Sequence, residues 1–367
     1  MSIVYKNPLL RVFPPPRFLT MPATGMDVSD EAIKFVELEN TKQGMRLGTY
    51  GKVALGHGVI ENGMIRKHEE LIELLTSIKN DHNIHFVHAS LPEEHSYLFQ
   101  TEVPTGTPYD QARNVIEFKL KENVPLSPEE VVFDFVPVPH TTTRESKTVS
   151  VAVYPREILQ AYSEVFQAAG ITVLSFETEG AANARAIIPK GEQQTIMIVD
   201  IGKLATEISI VHNGIMSYTT TIEVCGNDFT HTIEKYKAIT FEEAEIIKAE
   251  QGFVKDAENL DLFEVLLGTV SVLRDEINKN LAYWQMHSGG GKALQRDVEK
   301  IVLCGGGANL RGLTEYLTVT MDLPIENANV WVNVTSFDDY VPSMDRVQSL
   351  VFATAIGLAI RSVERVV

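Results

Sequence analysis

A short pattern occurs twice in this chain and limits the folds open to it. Gly25-Met26-Asp27-Val28-Ser29-Asp30 leads into Ile33-Lys34-Phe35-Val36, and Val199-Asp200-Ile201-Gly202-Lys203 leads into Thr206-Glu207-Ile208-Ser209-Ile210. Each copy reads as strand, acid, small-residue turn and second strand. Asp27 and Asp200 stand about one domain length apart, so a duplicated domain presenting two equivalent hairpins across a cleft is the simplest account. A small residue at such a turn lets backbone N–H groups approach phosphate oxygens, and an Asp at the strand end can hold a hydrated Mg2+. Two such loops can grip a triphosphate from both sides. Either hairpin alone is more simply an ordinary acidic turn; the pair is what points to a site.

Composition narrows the class. The 367 residues are 44% hydrophobic and 22% charged, enough for two packed domains and too apolar for disorder. Lys and Arg number 32 against 49 Asp and Glu, a formal charge of -17, which argues against a general nucleic-acid-binding surface because phosphate is repelled. Cys225 and Cys304 are far apart, so a reducing, cytoplasmic setting is expected rather than a disulfide framework. Pro8 and Pro14 to Pro16 break the N-terminal apolar stretches, which argues against a secretory signal. The longest apolar run, near Leu350 to Ile360, is too short to cross a bilayer. Membrane contact is therefore expected through a partner, with no direct insertion.

Along the chain, residues 1–24 mix basic, aromatic and proline residues without periodicity and read as an extended tail. Beyond them strand and helix patterns alternate. Ile33 to Leu38 and Ile84 to Ala89 are strand-like, and Glu69 to Ile78 is helical, with Leu71, Leu74 and Leu75. The rhythm is that of an α/β protein. Thr240 and Glu243 form a capping box that opens a helix ending near Gly252, with Glu245 and Lys248 on adjoining parts of one face. They can meet ribose hydroxyls or pair with each other. Ile301 to Cys304 reads as a buried strand running into Gly305-Gly306-Gly307, which suits either close contact with a nucleotide or a tight strand-to-helix turn.

Two other patterns carry no site. His82, His85 and His88 look like a metal cluster, but strand residues three apart point to opposite faces. Ser288-Gly289-Gly290-Gly291-Lys292 is followed by Ala293 rather than Ser or Thr, and Met286 stands where a phosphate loop has its first glycine.

Taken in order, these segments resemble the actin-like ATPases, and more closely the PilM family of type IV pilus machinery. The likeness runs from about Gly25 to Arg361. Besides the two hairpins it includes Gly58-Val59-Ile60-Glu61-Asn62-Gly63-Met64-Ile65, Glu122-Asn123-Val124-Pro125-Leu126 leading to Val132-Phe133-Asp134, and Ala169-Gly170-Ile171. Ala244-Glu245-x-x-Lys248, Leu303-Cys304-Gly305-Gly306 and Gly357-Leu358-Ala359-x-Arg361 complete it. The resemblance implies an actin-like α/β fold with two duplicated lobes around a nucleotide cleft and an inserted subdomain of the FtsA and PilM type. Its divisions are a tail at 1–24, a first lobe at 25–85 and 169–198, an insertion at 86–168, a second lobe at 199–361 and an end segment at 362–367.

Carried over residue by residue, the resemblance implies ATP and Mg2+ as cofactors. Asp27, Ser29 and Lys34 belong to the first phosphate loop; Asp200, Gly202, Lys203 and Thr206 belong to the second, with Gly226 beyond it. Asp27 and Asp200 face the metal, Glu245 and Lys248 the ribose, and Gly305, Gly306 and Gly307 the adenosine. Glu179 matches the acid that positions attacking water, with Glu177 as a competitor. Ser29 stands where the family has glycine, Lys203 where a small residue is usual, and Cys225 replaces the first glycine of a pair. Crowding at Ser29 leads us to expect ATP binding with slow or absent hydrolysis.

The expected role is a cytoplasmic scaffold at the inner membrane. It docks the tail of a PilN-like inner-membrane protein, meets other pilus assembly proteins and has scope for self-association. The alternatives are an FtsA-like polymerising division protein, a nucleotide-free scaffold and a metabolic kinase. The ending at Ser362 to Val367 gives an FtsA-type amphipathic anchor no room.

Overall fold

The computed structural model describes residues 23–41, 44–139, 141–257, 259–287 and 297–364. Most of the expected tail and the glycine run at 288–292 therefore lie outside the described residues. The chain starts with β1 (Thr24–Val28), buried on both faces, and turns into the hairpin β2 (Ala32–Thr41) and β3 (Gly44–Ala54). A small ribbon, β4 (Ile60–Glu61) and β5 (Met64–Ile65), leads to helix α1 (His68–His82). Its inward stripe is Leu71, Leu75 and Ile78, acids fill its first turn, and Asn83 ends it with φ 55°. β6 (Phe86–Leu91) follows.

The next residues build a separate sheet: β7 (Tyr97–Pro104), helix α2 (Tyr109–Asn123), β8 (Val131–Pro137) and β9 (Ser146–Pro155). Its strands run in the order β7-β9-β8, all antiparallel, with a core of Val103, Ile116, Leu120, Val149 and Val151. Helix α3 (Arg156–Ala168) and β10 (Thr172–Thr178) return to the first lobe. The span 86–168 is thus not one unit. β6 pairs with β1, and Tyr154, Ile158, Tyr162 and Phe166 pack in the first-lobe core, so the independent sheet occupies 97–155.

Helix α4 (Glu179–Ile187) then joins the lobes. The second lobe comprises β11 (Thr195–Ile201), β12 (Thr206–His212), β13 (Ile215–Ile222), α5 (Gly226–Lys237), α6 (Phe241–Gln251) and α7 (Leu260–His287). It continues through β14 (Lys300–Cys304), α8 (Leu313–Thr320), β15 (Ile325–Asn327), α9 (Arg346–Val351) and α10 (Ala353–Glu364).

The duplication read from the two hairpins is a duplication of topology. The first sheet has the order β3-β2-β1-β6-β10 and the second β13-β12-β11-β14-β15. In each, an antiparallel three-strand meander is extended on its first strand by two parallel strands. Parallel neighbours require crossover connections, which the intervening helices supply.

Helix α10 binds the halves together, packing on β1 and β2 on one side and on α4 on the other. Both contacts are backbone on backbone. A Cβ on Gly25 would strike the Ala355 carbonyl and the Ala359 nitrogen; one on Gly357 would strike the Ala182 carbonyl. The glycine and small residues of the Gly357-Leu358-Ala359 segment are therefore explained by packing.

The histidines do not gather. His88 is buried with Nδ1 2.6 Å from the Ser175 hydroxyl, while exposed His85 lies 3.0 Å from the Asn83 side chain. Among the described residues, no group of three or more His, Cys, Asp and Glu side chains is disposed to hold a metal, and no helix is long and apolar enough to cross a membrane. Cys225 and Cys304 are both free and buried.

Candidate functional site

The turns of the two equivalent hairpins bring their acids to one place. Asp27, at the end of β1, is 2% exposed; one carboxylate oxygen accepts from Lys34 Nζ at 2.8 Å and the other from Ser90 Oγ at 2.9 Å. Ser90 in turn accepts from the Val28 N–H at 3.0 Å, fixing the end of β1 against β6. Asp200, at the end of β11, accepts from Asn183 Nδ2 at 2.7 Å. Asn183 is held by Thr354 Oγ1 at 3.1 Å, so α10 positions the carboxylate through α4.

Electrostatics show that these groups share a neighbourhood. Burial disfavours the Lys34 ammonium, but Asp27, Glu179 and Asp200 outweigh it and hold the lysine pKa above its ordinary value. Burial raises the Asp200 pKa and Asp27 adds to this, against the opposing pull of Lys34 and Asn183. Glu179 is pushed well above the carboxylate range by burial and by the charges of Asp27, Glu94 and Glu207. Asp27, Asp200 and Glu179 thus share a neighbourhood with the Lys34 ammonium, and the upward shifts at Asp200 and Glu179 reflect the cost of burying several carboxylates near one another.

Glu177, the competitor of Glu179, is tied elsewhere. Both its oxygens accept from Arg185, at 2.6 and 2.7 Å, and it also pairs with Arg361. The Arg361 of the sequence pattern thereby anchors α10 to β10.

The turns differ in what they can offer a phosphate. Ser29 needs no left-handed backbone, and its hydroxyl and N–H both donate to the Ala32 carbonyl at 3.1 Å. In the second turn, the Gly202 and Lys203 carbonyls accept from the N–H groups of Gly226 and Asn227, at 2.8 and 3.0 Å. The start of α5 is thus bound to the loop, and Gly226 is small because its Cβ would sit 3.1 Å from the Gly202 carbonyl. Thr206 is fully buried with its hydroxyl on the Val224 carbonyl at 2.6 Å, so it lines no open surface. Lys203 reaches across to Glu31 of the first turn at 3.9 Å.

Glu245 and Lys248 pair at 2.5 Å, and both engage Thr230; Lys248 also donates to the Gly226 carbonyl at 3.1 Å. Burial alone would raise the Glu245 pKa; the hydrogen bonds from Lys248 and Thr230 hold it below the ordinary range. Of the three glycines after β14, Gly305 (φ 77°) and Gly307 lie so close to Asp200 and Ile201 that side chains there would collide. Gly306 is open to solvent. The glycine run therefore lets β14 end flush against β11 and leaves Gly306 facing outward.

The sequence reading missed Ser90, Asn183, Thr230 and a second group of acids, Glu93 and Glu207. Asn183 stands four positions after Glu179 on one helix face, a spacing that carries a signal. Ser90, Glu93 and Glu207 converge only through the fold. A cavity of about 320 Å3 lies at the other end of β1, lined by Phe35, Glu37, His82 and His85.

Two lobes of identical sheet order, hairpin acids meeting at their junction and a final helix crossing between them define the actin-like ATPase fold. The chain superposes on a PilM-PilN type IV pilus biogenesis complex structure with a TM-score of 0.76 and 22% identity, covering 93% of this chain and 98% of that one. It superposes on MreB5 of Spiroplasma citri bound to ADP with a TM-score of 0.55 and 15% identity, covering 93% and 96%. Over 195 residues it is 27% identical to the cell division protein FtsA of Neisseria meningitidis serogroup B strain MC58; the match takes in 48% of this chain and 45% of that protein. The family model for the type IV pilus assembly protein PilM matches residues 25–363, and the chain belongs to that family.

Proposed function

We propose that the chain is an ATP-binding scaffold of type IV pilus assembly, cytoplasmic and held at the inner membrane by the tail of a PilN-like partner. The observation that carries the nucleotide reading is Lys34 set among Asp27, Glu179 and Asp200 at the facing ends of the two hairpins. Lys34 and Lys203 supply positive charge for phosphate, and Glu245, Lys248 and Gly306 lie along the nucleoside side. Both Asp27 oxygens already accept hydrogen bonds, so Asp200 is the better-placed carboxylate for Mg2+. The ion, when bound, would offset the negative charge that Asp27 and Asp200 present to a triphosphate.

Glu179 is the acid we assign to positioning the attacking water; burial and the neighbouring acids raise its pKa, which works against its acting as a base. Asp200→Ala is expected to weaken Mg·ATP binding about 100-fold by calorimetry while leaving the unfolding midpoint near that of the wild type. Glu179→Gln should keep the affinity and slow any hydrolysis. Full affinity in the Asp200 variant counts against the cleft.

The family and the fold shared with a PilM-PilN complex support the partner. The sheet at 97–155 is the docking surface we favour, since an extended tail can add to one of its strand edges, and Phe118 on α2, 80% exposed, is the side chain we choose to test it. Deleting 86–168 removes β6 and α3 from the first lobe, so Phe118→Glu is the cleaner test. Loss of co-purification with a PilN-like tail supports this surface, and unchanged capture removes it.

A further inference from the structure

The two hairpin turns also meet through side chains at the surface. Glu31 closes the first turn; its carboxylate accepts from Lys52 Nζ of β3 at 2.9 Å and lies 3.9 Å from Lys203 Nζ of the second turn. The Lys203 ammonium also stands 5.9 Å from the centroid of the Phe241 ring, at the start of α6. The backbones beneath these side chains are pinned. Ser29 donates to the Ala32 carbonyl and the Leu55 N–H to the Glu31 carbonyl in the first turn, while the N–H groups of Gly226 and Asn227 hold the Gly202 and Lys203 carbonyls in the second. The side chains themselves reach solvent, Lys203 being 43% and Glu31 30% exposed. An exposed ion pair of this length is weak, so a more highly charged partner can take the lysine from it. Lys52 then still neutralises Glu31 within the first lobe.

We propose that Glu31 and Lys203 form a latch between the lobes at the mouth of the cleft, and that a nucleoside polyphosphate opens it by drawing Lys203 away from Glu31. The proposal deepens the nucleotide reading given above and rests on it. Phosphate is the part of the ligand that matters here: a polyphosphate offers several charged oxygens against one carboxylate, whereas a nucleoside alone offers none. Binding costs the latch, so Glu31 lowers the affinity and ties occupancy to phosphate charge. Glu31 is a positioning residue, since it acts on the ligand through Lys203. A small residue at position 203 would supply neither the latch nor the charge that replaces it.

The test uses the full chain. A carbodiimide condenses a carboxylate with an amine held beside it, and peptide mass spectrometry identifies the joined pair. Without nucleotide, Glu31 should couple to both Lys203 and Lys52. Saturating Mg·ATP should remove most of the product with Lys203 and spare the product with Lys52, and adenosine should change neither. By calorimetry, Glu31→Gln should tighten Mg·ATP binding about three-fold, the size of an exposed ion pair. The same change made together with Lys203→Gln should gain almost nothing over Lys203→Gln alone. The latch is overturned if Glu31 couples to Lys52 but not to Lys203 in the nucleotide-free chain, if the product with Lys203 persists when calorimetry shows the site filled, or if adenosine abolishes it. An equal gain from Glu31→Gln in both backgrounds also overturns it, being plain repulsion between carboxylate and phosphate. A cross-link to Lys203 in a chain that binds no ATP is a different failure: the nucleotide reading falls, and the exchange with it.

Discussion

Replacing Lys34 by methionine is expected to cost about 3–5 kcal/mol of folding stability, the range for breaking a buried ion pair from one side. The Lys34 and Asp27 side chains are 14% and 3% exposed, so solvent screens neither charge well. Methionine fills much the same volume and leaves Asp27, Glu179 and Asp200 with no ammonium among them. Urea unfolding is the measurement, read as a fall in midpoint at unchanged slope. Pairing Lys34→Met with Asp27→Asn should recover part of the loss, because the second change removes a charge that the first one strands. A Lys34 variant as stable as the wild type would mean that the carboxylates are well solvated and that the cluster is not a junction between lobes.

Gly357→Ala should be the other severe change, at about 3 kcal/mol. The added methyl would occupy the place of the Ala182 carbonyl, and neither the α10 nor the α4 backbone can yield without moving the other. Three further contacts depend on this alignment: Arg185 to the Gly357 carbonyl at 3.1 Å, Arg361 to Glu177, and Thr354 to Asn183. Because Asn183 orients Asp200, the variant should lose nucleotide affinity as well as melting temperature. The same substitution at Gly306, where the nearest atom to a new Cβ is 3.7 Å away, is the control and should be nearly neutral for stability.

The two hairpins were legible because alternating apolar residues, an acid and a turn form a local pattern whose recurrence implies duplication. The strand-helix rhythm gave the α/β class, whereas the order of the strands in each sheet is set by long-range pairing. Thr206 shows where local reading stops. Asp200 and Glu207 are cross-strand partners and share a face of the sheet, so the neighbouring Thr206 points the other way. Glu177 and Glu179 could not be separated by sequence, since their assignment depends on Arg185 and Arg361 arriving from two helices. The boundaries of the insertion were blurred for a related reason. β6 and α3 flank it in sequence but belong by packing to the first lobe, and that membership is decided by long-range pairing.

The central claim is that the two duplicated turns form one site for a nucleotide and a divalent ion. Calorimetric titration of the wild-type chain with ATP, in Mg2+ and again in excess chelator, tests it most directly. The account predicts one nucleotide per chain in Mg2+ and an affinity reduced about 100-fold when the ion is withdrawn, since Asp27 and Asp200 then face the phosphates unshielded. Binding of equal strength with and without Mg2+, or no saturable heat at millimolar ATP, would contradict it.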